Sequence, residues 1–342
     1  MNFGIIGGGM IARFHAEAIR RVEGSTLQAV YARRLESADT ITSEFGGRAF
    51  DDLDAFLADP DLDIVTIATP SGAHLEPAVA AARAGKHVIC EKPIEVTTDR
   101  VDEMIDACDR AGVVLAGVFN RRFHPTMQLL KRAVDAGRFG RLTLCEASVR
   151  WYRDDAYYAS APWRGTWALD GGGALMNQSI HAIDQLLYLA GPVKHVHAFS
   201  GTLGHRGIEV EDTAVATLEF ESGALGTIRG STACWSATGN PAEITICGTQ
   251  GTVYLDDERF RRWQFADPDE HMDAQAARFT GETASGAGAN DPKAINCDGH
   301  VANFTDVVES IRDNRRPIVD GREARRAVDL ICRIYEVAGT KS

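Results

Sequence analysis

The chain of 342 residues contains no uninterrupted apolar run of 18 residues, the minimum for a helix that crosses a bilayer. Its N-terminus has no basic segment followed by a long apolar run and a small-residue cleavage site, so a soluble, unexported protein is expected. Cysteines are few and scattered. Cys90, Cys108, Cys145, Cys234, Cys247, Cys297 and Cys332 are odd in number and include no C-x-x-C pair. This argues against a disulfide framework or zinc knuckle, and for free thiols in a reducing cytoplasm. Positive charge is also short, with 36 Lys and Arg against 48 Asp and Glu, a net charge of −12. Such a surface repels phosphate backbones and anionic membranes, so neither nucleic acid nor a membrane is an expected partner. The ten histidines show no H-x-x-x-H or H-E-x-x-H spacing, and no metal site is expected.

What is present is an ordinary globular balance, 44% hydrophobic and 25% charged, in a chain too long for one typical core. Two domains are expected, 1–120 and 121–342. In the first, FGIIG, LQAVY, DIVTIA, HVICE and VVLAG read as strands, since β-branched residues run on as they do in sheets buried on both faces. Helical stretches alternate with them: 10–22, 35–45, 53–58, 73–84 and 98–111. Repeated strand, helix, strand means a doubly wound parallel sheet. Beyond about residue 120 the pattern changes. A helix at 125–136 leads into RLTLCEASVRWY, TAVATLEFESG, ALGTIRGSTACW, AEITICGTQGTVYL and RFRRWQF, which read as a large, mostly antiparallel open sheet, an α+β domain. One internal helix is expected at 179–190, a mobile loop at 267–291, and two terminal helices at 300–312 and 321–338. A single internal helix cannot cover both faces of such a sheet, so a homodimer or homotetramer is expected.

The first strand runs into Gly7-Gly8-Gly9-Met10-Ile11-Ala12, a G-x-G-x-x-A fingerprint opening a helix. The first glycine permits the tight turn, Gly9 lets a pyrophosphate approach the backbone, and the small Ala12 lets helix and strand pack closely. This assigns a Rossmann-type dinucleotide site to Gly7, Gly9, Met10, Ile11 and Ala12. Twenty residues past Ala12, where NAD-selective sites carry a carboxylate for the ribose 2′-hydroxyl, stand Ala32, Arg33 and Arg34. Two guanidinium groups without a carboxylate suit a 2′-phosphate, so NADP is expected to be accepted or preferred; the other reading is a solvated helix entrance. The strand DIVTIA ends at Thr69-Pro70 with His74 close behind, and HVIC ends at Glu91-Lys92-Pro93. Ligands of open α/β sheets bind beyond the carboxyl ends of strands, so Thr69, Pro70, His74, Glu91 and Lys92 are expected along the nicotinamide half of NAD(P).

Glu91-Lys92-Pro93 behind an N-terminal fingerprint and before an antiparallel second domain resembles the glucose-fructose oxidoreductase, inositol dehydrogenase and rhizopine catabolism (Gfo/Idh/MocA) family. The segment Asp170-Gly171-Gly172-Gly173-Ala174-Leu175-Met176-Asn177-Gln178-Ser179-Ile180-His181-Ala182-Ile183-Asp184 is similar to that family's G-G-G-x-L-x-D-x-G-x-H-x-x-D motif. It departs from it at Asn177 and Ser179, where the commonest pattern has aspartate and glycine. Asn cannot accept a proton as a carboxylate does, which moves the acid/base role to His181 and Lys92. The spacing also makes sense by itself. Asn177, His181 and Asp184 fall on one helical face with Ile180, Ile183 and Leu187 beside them, a polar stripe for a cleft and an apolar one for anchoring.

The resemblance implies a reversible hydride transfer between the nicotinamide and a ring carbinol of a sugar, sugar derivative or cyclitol. In that scheme His181 removes the hydroxyl proton, Lys92 stabilises the oxygen and Asn177 orients the reacting groups. Asn120 to Pro125 resembles the family's N-x-R-F-x-P segment, in which Arg122 is a contact to cofactor or substrate, or else a junction salt bridge. Trp151-Tyr152-Arg153 and the loop from Tyr157-Tyr158 to Trp163-Arg164-Gly165-Thr166-Trp167 suit a sugar-facing wall, with packing as the other explanation. The expected substrate-binding set is therefore Arg122, Tyr152, Trp163, Arg164, Trp167, Asn177 and Asp184. A dinucleotide sensor without turnover and a glycosidase that retains NAD are the competing functions.

Overall fold

The computed structural model describes residues 1–281 and 297–340. The chain divides into two compact units, Met1–Asn120 with the described part of Asn296–Val328, and Arg121–Ile295 with Asp329–Ser342, again for the residues described. In the first unit β1 (Asn2–Ile6), β2 (Thr26–Tyr31), β3 (Arg48–Phe50), β4 (Ile64–Ile67), β5 (His87–Cys90) and β6 (Leu115–Gly117) form one parallel sheet. Their order is β3-β2-β1-β4-β5-β6. The chain winds outward in both directions from β1, which opens a crevice at the carboxyl ends of β1 and β4. β4 is buried at every position, as a strand covered on both faces must be. Five strands lie where continuous apolar runs put them, whereas β3, an edge strand of three residues, was not anticipated. The helices Leu35–Phe45 and Thr98–Ala111 match the expected bounds. The second starts on Thr97, whose side chain accepts from Arg100 N, and stops at Gly112 in the left-handed region, φ 68°.

A helix distant in sequence, Asp298–Arg312, completes this unit by packing on Met10–Arg21. It inserts Phe304, Val307 and Val308 into the core, and Phe304 stacks on Phe3 with ring centroids 6.0 Å apart. The last helix, Gly321–Ala338, begins in the first unit and passes to the second after Val328.

The second unit is built on seven strands: β7 (Leu142–Arg150), β8 (Val193–Gly201), β9 (Thr213–Phe220), β10 (Leu225–Ser231), β11 (Ala242–Gly248), β12 (Gly251–Asp256) and β13 (Arg259–Phe265). They lie in the order β13-β12-β11-β7-β10-β9-β8, and every neighbouring pair is antiparallel except β7 with β10. β8 was not expected, and the run AEITICGTQGTVYL is two strands joined at Thr249-Gln250 rather than one. Alternation is clear in β9, where Ala214, Ala216, Leu218 and Phe220 are buried and Val215 and Thr217 are exposed. The helix Ile180–Ala190 packs on β7 and β11. Part of the stretch expected as a mobile loop is a helix, Glu270–Ala277, whose first turn is capped by Asp269 accepting from Met272 N. Residues 282–291 of that expectation lie outside the described residues. Among the described residues, no helix is long and apolar enough to cross a membrane.

Candidate active site

The fingerprint glycines behave as their spacing requires. Gly7 has φ +128°, and a Cβ there would lie 2.5 Å from the Ala68 carbonyl oxygen at the end of β4. A side chain at Gly9 would meet nothing within 4 Å, so the space in front of the helix Met10–Arg21 is open to a bulky group. That helix begins at Gly9 with no side-chain cap, and its first amides are available to an anion. Ala12 is wholly buried against the sheet, and Met10 is more than a third exposed. Ala32 is buried, and Arg33 and Arg34 are exposed at the end of β2. No carboxylate stands at these three positions. These residues fit a dinucleotide phosphate, and nothing at Ala32 to Arg34 would repel a further phosphate on the ribose.

Beyond β4 and β5 the two strand-end segments are tied together. Thr69 Oγ1 donates to Ala73 O (2.9 Å), and the His74 ring, 1% exposed, lies with Nδ1 3.0 Å from Pro93 O and Nε2 3.0 Å from Thr69 O. His74, expected at the cofactor, thus fixes the shape of both segments instead of presenting a free ring. Glu91 is likewise turned inward. It accepts from His15 Nε2 (2.9 Å) and from the Lys92 backbone N–H (3.0 Å), with His300 Nε2 at 3.7 Å. Thr66 Oγ1 donates to His15 Nδ1 (2.9 Å) and Asn120 Nδ2 to His300 Nδ1 (3.2 Å), so both rings aim Nε2 at one carboxylate. Burial works to raise the Glu91 pKa, but the bonds from His15 and His300 hold it well below the usual range. Burial also lowers the His15 pKa, which keeps that ring neutral. Glu91, His15 and His300 therefore clamp the backbone from which Lys92, itself half-buried, projects. The Lys92–Pro93 peptide is cis. Among the described residues this trio is the one whose ligand atoms, all within 4.8 Å of one another, could hold a metal ion.

In the second unit the glycine run Gly171-Gly172-Gly173 leads into a π-turn, Ala174–Ser179, and then into the helix Ile180–Ala190. Ser179 Oγ donates to Ala174 O across five residues (2.6 Å). Such wide turns recur at functional sites because they re-aim side chains within a continuous helix. Here they carry Asn177 and place His181 on the first α-helical turn, with both side chains half-buried. Asn177 is anchored: its Nδ2 donates to Asp170 Oδ1, and its Oδ1 accepts from Gln178 Nε2 (2.5 Å) and Tyr157 Oη (3.4 Å). Asp170, 1% exposed, also accepts from Gly165 N (2.8 Å). The carboxylate missing at position 177 thus stands one hydrogen bond away at 170.

Below the turn lies a second buried carboxyl group. Glu211 accepts from Gly173 N (2.8 Å), Leu175 N (2.8 Å) and Tyr335 Oη (2.9 Å). Burial pushes its pKa up to about 7 against those three bonds. Sequence reasoning missed Glu211, Tyr335, Gln178 and the role of Asp170, because their partners lie up to 159 residues away. A carboxylate pair, Glu211-Asp212, entering a strand of small apolar residues was the available signal.

Two expected substrate residues find each other instead. Arg122 donates to Asp184 through Nε (2.8 Å) and Nη2 (2.6 Å), and the two are 1% exposed. The Arg122 guanidinium also lies 4.6 Å from the Tyr188 ring centroid. A bidentate pair this buried is a brace within the second unit, the salt-bridge alternative that the sequence offered for Arg122. Of the aromatic wall, Trp167 packs edge-on against Tyr335 at 5.2 Å, Trp163 lies under Arg164 at 4.6 Å, and Tyr152 is 45% exposed.

Comparison with known proteins gives a consistent picture. Residues 1–119 match an oxidoreductase family described as having an NAD-binding Rossmann fold, and residues 127–254 match the GFO/IDH/MocA C-terminal domain. Myo-inositol 2-dehydrogenase of Thermotoga maritima is 31% identical over 264 residues, 76% of each chain. Levoglucosan dehydrogenase of Pseudarthrobacter phenanthrenivorans is 29% identical over 326 residues, covering 82% of this chain and 80% of its own. Among solved structures, the WlbA dehydrogenase from Bordetella pertussis, in complex with NADH and UDP-GlcNAcA, is 35% identical with a TM-score of 0.87. That match covers 98% of this chain and 95% of that one.

Proposed function

Since this chain belongs to the Gfo/Idh/MocA family of oxidoreductases, we propose that Lys92, Asn177 and His181 carry out the proton chemistry of a sugar dehydrogenase. The enzyme is an NAD(P)-dependent oxidoreductase acting on a ring CH–OH of a sugar, sugar derivative or cyclitol, as its dehydrogenase relatives are. When bound, the nicotinamide exchanges a hydride with the carbinol carbon. His181 takes the hydroxyl proton, Lys92 holds the oxygen as its charge develops, and Asn177 directs the hydroxyl. The observation that carries this assignment is the π-turn: Asn177 is locked by Asp170, Gln178 and Tyr157, and the helix that follows opens with His181 in its first turn. Lys92→Ala is expected to cut turnover by at least about 100-fold while dinucleotide binding, read by fluorescence titration, survives. Near-normal turnover overturns the role of Lys92.

The finer cofactor choice follows from Ala32, Arg33 and Arg34. The lack of a carboxylate at these positions and the two exposed guanidinium groups support NADP being accepted or preferred. Binding constants for NADH and NADPH test this; a clear preference for NADH overturns it. The NADH-bound WlbA neighbour bears on that test, and its UDP-GlcNAcA supports a nucleotide-linked sugar among the compounds to screen. The second unit also self-associates through the face of its sheet on which, among the described residues, Leu144, Phe199, Val215 and Leu225 are exposed. Seven cysteines without a disulfide support a cytoplasmic location.

A further inference from the structure

Three elements far apart in the chain bring two imidazoles and a carboxylate together behind Lys92. His15 comes from the helix Met10–Arg21, Glu91 directly follows β5, and His300 comes from the helix Asp298–Arg312. His15 is wholly buried, and Glu91 and His300 are each 7% exposed. Their ligand atoms all lie within 4.8 Å of one another, with Glu91 Oε1 2.9 Å from His15 Nε2 and 3.7 Å from His300 Nε2. A tetrahedral zinc ion with bonds of about 2.0–2.1 Å needs its ligand atoms about 3.3 Å apart. The two distances fall on either side of that value, so small side-chain rotations suffice to admit an ion. Apolar rings hold the ligands still: Phe304 meets the His15 ring edge-on at 5.2 Å, and Phe14 stacks on His300 at 6.1 Å. Such a shell also limits the access of water to a metal.

The outer contacts supply a second, independent observation. A histidine that binds metal through Nε2 carries its proton on Nδ1 and donates it to an oxygen. Thr66 Oγ1 stands 2.9 Å from His15 Nδ1, and a hydroxyl accepts as readily as it donates. At His300 Nδ1 stands the Asn120 amide, 3.2 Å away through Nδ2, while Asn120 Oδ1 is buried without a hydrogen-bond partner among the described residues. Turning that amide over puts the orphaned oxygen on His300 Nδ1, the acceptor that the metal-binding form of the ring requires.

We propose that His15, Glu91 and His300 bind one divalent transition-metal ion of the zinc class through both Nε2 atoms and the carboxylate, with Thr66 and Asn120 as the outer acceptors. Two imidazoles suit such an ion, and one carboxylate offers too few oxygens for calcium or magnesium. The ion pins together the helix that opens at the glycine fingerprint, the end of β5 and the helix Asp298–Arg312. It reaches Lys92 only through the backbone, since Glu91 also accepts from the Lys92 N–H at 3.0 Å. The site is structural and stands whether or not the sugar reading does. Short histidine spacings could not reveal it, because each ligand comes from a different element.

The test titrates zinc chloride into the full chain after stripping with a chelator and dialysis. Calorimetry is expected to give one equivalent per chain, and the melting temperature should rise on the order of 5 °C at a hundredfold excess of free zinc over its dissociation constant. Cobalt(II) should show the visible bands of nitrogen and oxygen donors; a thiolate-to-cobalt band would place the ion on one of the seven cysteines and overturn the proposal. His15→Gln and His300→Gln should each weaken zinc binding at least about 100-fold, and Asn120→Asp, which fixes an acceptor on His300 Nδ1, should tighten it about 10-fold. If circular dichroism shows that the histidine variants do not fold, Asn120→Asp carries the test. A wild type that binds no zinc, a folded histidine variant that binds it unchanged, or an affinity not raised by Asn120→Asp overturns the proposal.

Discussion

Glu211 has three donors and no cation among them: two backbone amides of the glycine-rich turn and the Tyr335 hydroxyl. Its pKa, pushed up to about 7 by burial, makes it a proton reservoir of the folded state. The folded chain holds this proton between the unfolded value near 4.5 and about 7, so the group's stability contribution is present at low pH and is lost as pH rises through 7. From pH 5 to pH 8 that loss is roughly 2–3 kcal/mol. Urea unfolding at both pH values, in the wild type and in Glu211→Gln, isolates it, since other titrating groups cancel in the double difference. Equal pH slopes in the two proteins would exclude Glu211 as the source. Arg122 and Asp184 present the opposite case, a carboxylate with its cation. Arg122→Ala leaves a buried charge uncompensated and is expected to cost about 3–5 kcal/mol, whereas replacing both by Met and Leu should cost less. Chemical denaturation of the single and double variants distinguishes the pair from simple packing.

At the scale of elements, the glycine run before the π-turn is where sequence and structure agree most closely. A Cβ on Gly173 would overlap the Glu211 carbonyl oxygen, and one on Gly172 the Tyr335 hydroxyl, so the turn can approach β9 and the last helix only without side chains. Gly173→Ala is therefore expected to lower stability by about 1–3 kcal/mol and to reduce kcat more than it raises KM, because it displaces Asn177 and His181 together. An intact kcat would mean that the turn does not set the geometry of those residues. Motifs of this kind were legible because each glycine answers a local demand. So were the helices Leu35–Phe45 and Thr98–Ala111, whose ends carry their own punctuation. Strand β3 was not, since three residues at a sheet edge show no period. Nor was β8, VKHVHAFSG, where only Val193 and Val196 are buried and the alternation is lost. The polar face of Ile180–Ala190 was read as a single stripe, but Asp184 pairs with Arg122, 62 residues away. Helical spacing gives the direction of a side chain and not its partner. The same limit hid the link from Arg153 to Gln178, two residues that no local pattern connects.

For the whole molecule, the informative feature is a sheet that, among the described residues, carries its internal helix on one face. The helix Ile180–Ala190 lies on β7 and β11, and the buried positions of β9 and β10 alternate with exposed ones on the opposite side. There Phe199 of the edge strand β8 is 87% exposed, and it sits directly across from Val215 of β9, 47% exposed. Leu225 and Leu144 pair in the same manner on β10 and β7, at 58% and 39%. These are two apolar pairs on one exposed face, with Arg229 beside Val215 and Glu219 beside Leu225 in the register, and the commonest way to cover such a face is a second copy related by a two-fold axis. In such an interface each residue occurs twice, so Phe199→Arg introduces two charges. At about 2 kcal/mol for each copy, the dissociation constant should rise on the order of 1,000-fold. Sedimentation velocity checks this directly. The wild type should sediment as a dimer or larger assembly, and Phe199→Arg should shift it to monomer while dinucleotide binding by the first unit is retained. A monomeric wild type would overturn self-association through this face. An unchanged assembly in the variant would place the interface elsewhere and leave Phe199 as a residue that the sheet tolerates in solvent.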